Sequence, residues 1–325
     1  MNGGRGASAR IAVLALLWGS GFLWIKLALT GLSPVHLTLV RCALGALTLL
    51  VLAFAARQRL PRDGRTWARL IVAAFFCNAL PFALFGIGET TVDSGIAGVM
   101  NATTPLWSLL IGVALGTERR LNPARLLGLV LGFAGILVIF APWQQSGLLS
   151  TGALALLGAG LSYAIAFAYM ARKLPPDGAP LALSAAQLMT ATALTALALP
   201  VADTAPHLTL TAVVAVTVLG VFGTGITFYL NYRILSDEGP TAAATVGYLL
   251  PVVSVALGAL VLGEPLSLRV VGGMAVVLVA VGLTRWQPQA RANCPASSAG
   301  GLPRRQPQLR ATCPANSAGG LATPE

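Results

Sequence analysis

The chain has 325 residues, 56% of them hydrophobic and only 10% charged, with a formal charge of +11. An ordinary soluble domain carries about 25% charged residues, so this composition excludes a protein whose main solvent is water. The basic residues lie in short loops and a tail between apolar runs, a pattern that orients membrane proteins and argues against a nucleic-acid partner.

Crossing a hydrocarbon core of ~30 Å takes about twenty apolar residues in a helix, and only helices or closed barrels satisfy their backbone there. The apolar runs are too long and too unalternating for barrel strands. The expected fold is therefore an all-α membrane protein with ten spans, at about 11–30, 36–56, 68–88, 94–116, 124–140, 151–170, 181–200, 208–232, 241–262 and 268–284. Residues 1–10 form a short amino-terminal segment. The first run contains Trp18, Trp24 and Lys26 and lacks a small-residue cleavage site, so it reads as a retained span rather than a signal peptide.

With the amino terminus inside, 18 of the 21 Lys and Arg fall on the cytoplasmic side, from Arg5 and Arg10 through the loops to Arg310. Only Arg269 falls in an outer loop, while Lys26 and Arg41 lie within spans. A multi-pass protein of the cytoplasmic membrane with both termini inside is the expected arrangement. Residues 286–325 are a polar tail in which QPQARANCPASSAGGL from Gln287 recurs as QPQLRATCPANSAGGL from Gln306. Its composition cannot bury a core and reads as disordered. Cys42 and Cys77 lie in apolar runs, Cys294 and Cys313 in the tail, and no metal-ligand spacing links them.

Sliding the sequence on itself by 146 residues aligns two halves without a gap. Pro34 falls on Pro180, Phe76 on Phe222, Phe82 on Phe228, Pro105 on Pro251, Ser108 on Ser254, Gly112 on Gly258 and Glu118 on Glu264. The repeats span 11–140 and 151–285, joined by a linker at 141–150. Five spans per half is an odd number, which would turn the second half upside down in the bilayer. Inverted halves are the symmetry of alternating access around a central site.

These residues resemble the EamA-type permeases of the drug/metabolite transporter superfamily. The resemblance rests on LLWGSGFLWIKLAL with the following SP and Arg41, and above all on YLLPVVSVALGALVLGEPLSLRVVGGMAVVLVAVGL in the second half. The first-half copy, TTPLWSLLIGVALGTERRLNPARLLGLVLGFAGILV, has Thr117 where the second has Gly263. The resemblance covers about 11–285 and implies a ten-helix secondary carrier of amino acids, nucleotide-type metabolites or drugs, commonly an exporter.

Ionisable groups inside a bilayer cost several kcal/mol and are functional candidates by default. Arg41 stands about two turns into the second span; it either faces the cavity and meets an anionic group or bonds helix carbonyls. Lys26 is read as snorkelling to the headgroups, and Glu89 and Asp93 as exposed loop carboxylates. Glu118 and Glu264 precede the last helix of each half, where a carboxylate can cap that helix's free N–H groups. Pro105 and Pro251 should bend their spans at mid-depth and mark the substrate level. The candidate cavity residues are Trp18, Arg41, Asn78, Asn101, Thr104, Pro105, Tyr163, Gln187, Thr227, Tyr229, Asn231, Tyr248 and Pro251. The polar ones among them could equally glue helices together, and the aromatics could equally form the interface belt or core. Gly128, Gly132 and Gly135, with Gly272 and Gly273, permit close packing within the chain or against a second copy in a homodimer.

A secondary carrier of a small molecule, without metal or cofactor, is the function these features predict. A passive channel or lipid scramblase of the same architecture is the alternative. A membrane enzyme would need clustered carboxylates or a metal motif, and the chain has only His36 and His207 and no clustered carboxylates in its spans.

Overall fold

The computed structural model describes residues 3–116, 123–140, 150–174, 180–202, 205–238 and 240–285. Glu118, part of the linker and the whole repeat-bearing tail lie outside the described residues.

Every regular element among the described residues is helical. In chain order these are α1 (Gly3–Gly19), α2 (Gly21–Ala28), α3 (Pro34–Ala55), α4 (Gly64–Ala74), α5 (Leu80–Glu89), α6 (Ser94–Asn101), α7 (Thr104–Ala114), α8 (Pro123–Phe140), α9 (Thr151–Lys173), α10 (Pro180–Ala196), α11 (Leu210–Gly220), α12 (Thr227–Glu238), α13 (Pro240–Leu262) and α14 (Leu268–Arg285). Among the described residues, six stretches are long and apolar enough to cross a bilayer: Ala9–Ala28, Pro34–Ala55, Gly64–Glu89, Ser94–Ala114, Thr151–Met170 and Leu210–Asn231. Leu181–Ala196, Leu250–Leu262 and Leu268–Ala280 are shorter apolar helices.

Helix starts follow the side chains available. Ser33, Ser150 and Thr209 accept hydrogen bonds from the N–H groups of His36, Ala153 and Ala212, and Asp63 accepts from Arg65 and Thr66. Those contacts, first the Arg65 N–H and then the Thr66 hydroxyl and N–H, hold the exposed Asp63 carboxyl below its ordinary range. Two helices stop on glycines in the left-handed region, Gly116 at φ 66° and Gly263 at φ 68°. At the 146-residue offset Gly263 faces Thr117, a β-branched residue poorly suited to that conformation, so the first-half stop moves one residue earlier onto Gly116.

The interior packs many alanines among larger residues such as Leu14, Ile25, Leu156 and Phe85, while other large apolar side chains face outward. Leu47, Val51 and Phe54 form one exposed stripe of α3 at i, i+4 and i+7, and Phe54 is 73% exposed. In water such a stripe would drive aggregation; in hydrocarbon it is the solvated face. The closest helix pairs are α8 with α14, α3 with α10 and α5 with α9.

The two prolines behave differently. The fourth span breaks at Ala102–Thr103, with Pro105 in the first turn of α7, whereas Pro251 lies inside a continuous α13. Thr103 and Thr104 donate their hydroxyls to the carbonyls of Met100 and Asn101 at 2.7 and 2.8 Å, competing with the helical ladder at the break. The equivalent positions before Pro251 are Leu249 and Leu250, which offer no such donors. Both prolines are expected to bend their spans; at Pro105 the helix breaks outright, whereas at Pro251 it runs on.

Candidate substrate site

Both of the longest interrupted spans carry a π-turn, and the two interruptions share one register. The stretch Gly64–Glu89 unwinds at Phe75–Ala79, between α4 and α5, and Leu210–Asn231 at Val221–Ile226, between α11 and α12; Phe75 and Val221 are 146 residues apart. A π-turn breaks the normal hydrogen-bond ladder and often marks a functional position. At the first of the two a carbonyl is taken up by a side chain of a facing helix, and at the second by hydroxyls of the same span, Thr224 donating to Leu219 and Thr227 to Gly223 and Thr224. The Ser162 hydroxyl on α9 donates to the carbonyl of Phe76 at 2.7 Å.

The polar residues at this level form two cross-links. Arg41 of α3 donates from Nε to Thr224 Oγ1 at 2.9 Å, and Thr224 in turn donates to the Leu219 carbonyl at 3.0 Å. Gln187 of α10 donates from Nε2 to Asn78 Oδ1 at 2.6 Å. Arg41 and Gln187 are equivalent at the 146-residue offset, and so are Thr224 and Asn78. Each link therefore ties one helix of a half to the π-turn of the other half.

The links differ in what they leave open. The Arg41 guanidinium is buried, with Cζ 3.7 Å from the centre of the Phe82 ring, yet its bond to Thr224 is the one hydrogen bond it makes among the described residues. Five donors held in a planar fork, stacked on an aromatic and largely unused, are suited to a carboxylate or phosphate. Asn78 is fully buried, and its Nδ2 has no partner among the described residues.

Other predicted residues fall elsewhere. Tyr163 packs against the core beside this level, its ring 6.1 Å from Phe85 and 6.0 Å from Phe167. Trp18 packs into a different cluster with Leu14, Ile234, Val246 and Leu250. Thr104 and Thr227 are buried, and their hydroxyls are spent on carbonyls of their own helical turns. Tyr229 packs beside Phe228 and the α3–α10 core, Asn101 and Asn231 are half-buried, and Pro251 is buried. The side chains of Pro105 and Tyr248 lie outside the described residues.

The remaining charged groups correct three expectations. Lys26 does not snorkel: its Nζ donates to the carbonyls of Glu89 and Val92 at 2.7 and 2.9 Å, capping the end of α5. Glu89 is not an exposed loop residue, being the last residue of α5 and 0% exposed. Glu264 caps a helix, but not the one that follows it. Its two carboxylate oxygens accept from the N–H groups of Ser94 and Gly95 at 2.7 and 3.0 Å, at the start of α6, 170 residues away in sequence. Asp93, the residue preceding α6, makes no capping bond of its own. Burial first and the neighbouring Glu264 charge second raise the Asp93 carboxyl above its ordinary range. A small cleft at this end is lined by Asp93, Gly95, Ile96, Val255, Glu264 and Arg269, and it contains none of the predicted cavity residues.

Phe82 and Glu89 are the residues of this region that sequence reasoning missed. Phe82 carried a signal, since it shares the 146-residue offset with Phe228; Glu89 did not, because a glutamate at the end of an apolar run reads equally well as its exposed boundary.

The profile of the EamA-like transporter family matches residues 8–141 and again 150–286. The chain belongs to the EamA-like transporter family. A Bacillus subtilis relative, described as the uncharacterized transporter YdfC, is 27% identical over 263 residues, 80% of this chain and 85% of that one. The Escherichia coli K12 protein YedA, described as an uncharacterized inner membrane transporter, is 28% identical over 286 residues, 83% of this chain and 87% of that one. A crystal structure aligns with a TM-score of 0.62 at 20% identity, over 86% of this chain and 96% of the other, which is a likeness of fold. This EamA-family member is thus a membrane transporter whose family repeat occurs twice.

Proposed function

We propose that this EamA-family protein is a secondary carrier with ten spans in two inverted five-helix repeats. It moves a small metabolite, amino acid or drug outward across the cytoplasmic membrane by alternating access, with both termini cytoplasmic. The observation that carries this reading is the pair of equivalent cross-links, Arg41 to Thr224 and Gln187 to Asn78, each joining a helix of one half to the π-turn of the other. Two similar halves tied at one level can exchange conformations at nearly equal energy, opening that level to either face in turn. Arg41 supplies the anchor for an anionic group of the substrate, with the Phe82 ring beneath it. The outward direction rests on the resemblance to permeases that are commonly exporters.

The test is flux in proteoliposomes with labelled amino acids, nucleosides and cationic drugs. A carrier saturates and shows counterflow, whereas a pore or scramblase of the same architecture shows neither. Labelling of single cysteines at positions 118 and 264 from opposite faces of the membrane checks the inversion; reaction of both from one face would remove it.

A further inference from the structure

Glu89 and Glu264 are both acidic, both near the same end of the helical body, and treated oppositely by their surroundings. Glu264 holds two backbone N–H groups on its carboxylate oxygens. Glu89 is 0% exposed, and neither of its carboxylate oxygens has a hydrogen-bond partner among the described residues. Among the described residues the cation hydrogen-bonded to this residue is Lys26, which donates to the Glu89 backbone carbonyl and not to its carboxylate. A carboxylate retained for structure is satisfied by donors, as Glu264 is. An unpartnered one in a water-free interior is costly as an anion and far less so as a neutral acid.

The position of Glu89 relates it to the Arg41 level. Phe82, Phe85 and Glu89 occupy one face of α5 at i, i+3 and i+7. Phe82 lies under the Arg41 guanidinium, and Phe85 packs against Phe22 and Tyr163. The end of α5 is sealed where the Gly88 and Gly152 backbones meet, a Cβ on Gly88 coming 3.1 Å from the Gly152 carbonyl oxygen and one on Gly152 2.9 Å from that of Gly88, and by side chains packed around them. A Cβ on Gly88 would come within 2.5 Å of Leu156 on α9, one on Gly86 within 3.1 Å of Pro34 on α3, and one on Gly152 would collide with Thr91. This seal is what a carrier must break to open that end, and breaking it would bring water to Glu89. The titratable and charged groups on the elements packed around α5 are Lys26 on α2, His36, Arg41 and Cys42 on α3, Cys77 on the π-turn, Asp93 at the start of α6, and Tyr163, Tyr169, Arg172 and Lys173 on α9, with Glu264 beyond Asp93.

We propose that Glu89 is the proton-carrying group of the transport cycle, protonated while the α5 end is sealed and releasing its proton to water when that end opens, so that substrate movement and proton movement are linked. The step is a simple ionisation: the carboxyl O–H bond breaks, the proton passes to water on the opened side, and the carboxylate takes it back before the seal re-forms. The proposal rests on the carrier reading above.

The test uses the full chain in proteoliposomes with labelled amino acids and nucleosides as probes. Wild type is expected to show saturable counterflow, and a net flux that shifts about tenfold per unit of imposed pH gradient, the weighting that one unit gives a protonated form. Glu89→Gln is expected to keep counterflow and lose the response to the gradient, and Glu89→Asp to retain both. A glutamine variant with the wild-type pH response overturns the coupling and leaves the carrier reading standing. A wild type without saturable flux removes the carrier reading and the coupling together. Should the glutamine variant lose counterflow as well, the infrared difference between wild type and variant at near-neutral pH decides: a protonated-carboxyl stretch present only in wild type supports the assignment, and its absence overturns it.

Discussion

The Arg41–Thr224 and Gln187–Asn78 links occupy equivalent places, yet one brings a permanent charge and the other a neutral amide. The frame repeats and the chemistry does not. A hydrogen bond that only tied the halves together could be made by glutamine on both sides. The charge on one side is an addition that tying does not require, which assigns recognition to the Arg41 half and mechanical closure to the Gln187 half.

The largest effect should come from removing that asymmetry. Arg41→Gln keeps a donor for Thr224 and deletes the charge, so counterflow of an anionic probe should fall about 10- to 100-fold, the range of a lost charge-assisted hydrogen bond of about 1.5–3 kcal/mol. Flux equal to wild type at equal membrane expression would make the two links interchangeable. Next comes Gln187→Leu, which strands a fully buried Asn78. Thermal unfolding in detergent should report a loss of about 1–3 kcal/mol, the cost of an unsatisfied buried polar group, with transport affected only through the amount of folded protein. A transport defect larger than the loss of fold would give the second link a share of recognition.

The smallest effect serves as a baseline outside the bilayer. Asp63 caps α4 from an exposed loop, and its carboxyl is held below the ordinary range by the Arg65 N–H and by Thr66. A depressed folded-state value means that the contribution is complete above the ordinary carboxylate range and fades as pH falls through that value. Asp63→Asn should therefore lower the unfolding midpoint slightly at neutral pH, and the difference from wild type should vanish in strong acid. Any change of flux in this variant would show that loop caps, and not only the membrane links, govern transport.

Much of the architecture was legible in the sequence because a bilayer imposes few solutions. Runs of about twenty apolar residues become helices, and the positions expected to span are mostly helical where they are described, with breaks at Ser20 and at Ala102–Thr103 that composition does not announce. The pairing of Arg41 with Thr224 required both the offset and the fold, since nothing local connects residues 183 apart. Glu264 was read as a cap, but its target could not be chosen from sequence: the nearest helix start in the chain is not the nearest in space. Lys26 and Glu89 were misplaced for a related reason. A charged residue near the end of an apolar run looks like a boundary, and only the packing of α2, α5 and α9 shows that this boundary is buried.

The matched π-turns bear on what the two halves share. A π-turn accommodates one residue more than the regular winding of its span would need. Two such turns starting at the same register, in a chain that matches its family profile twice, make the extra residue a property of the repeated unit and not of either half alone.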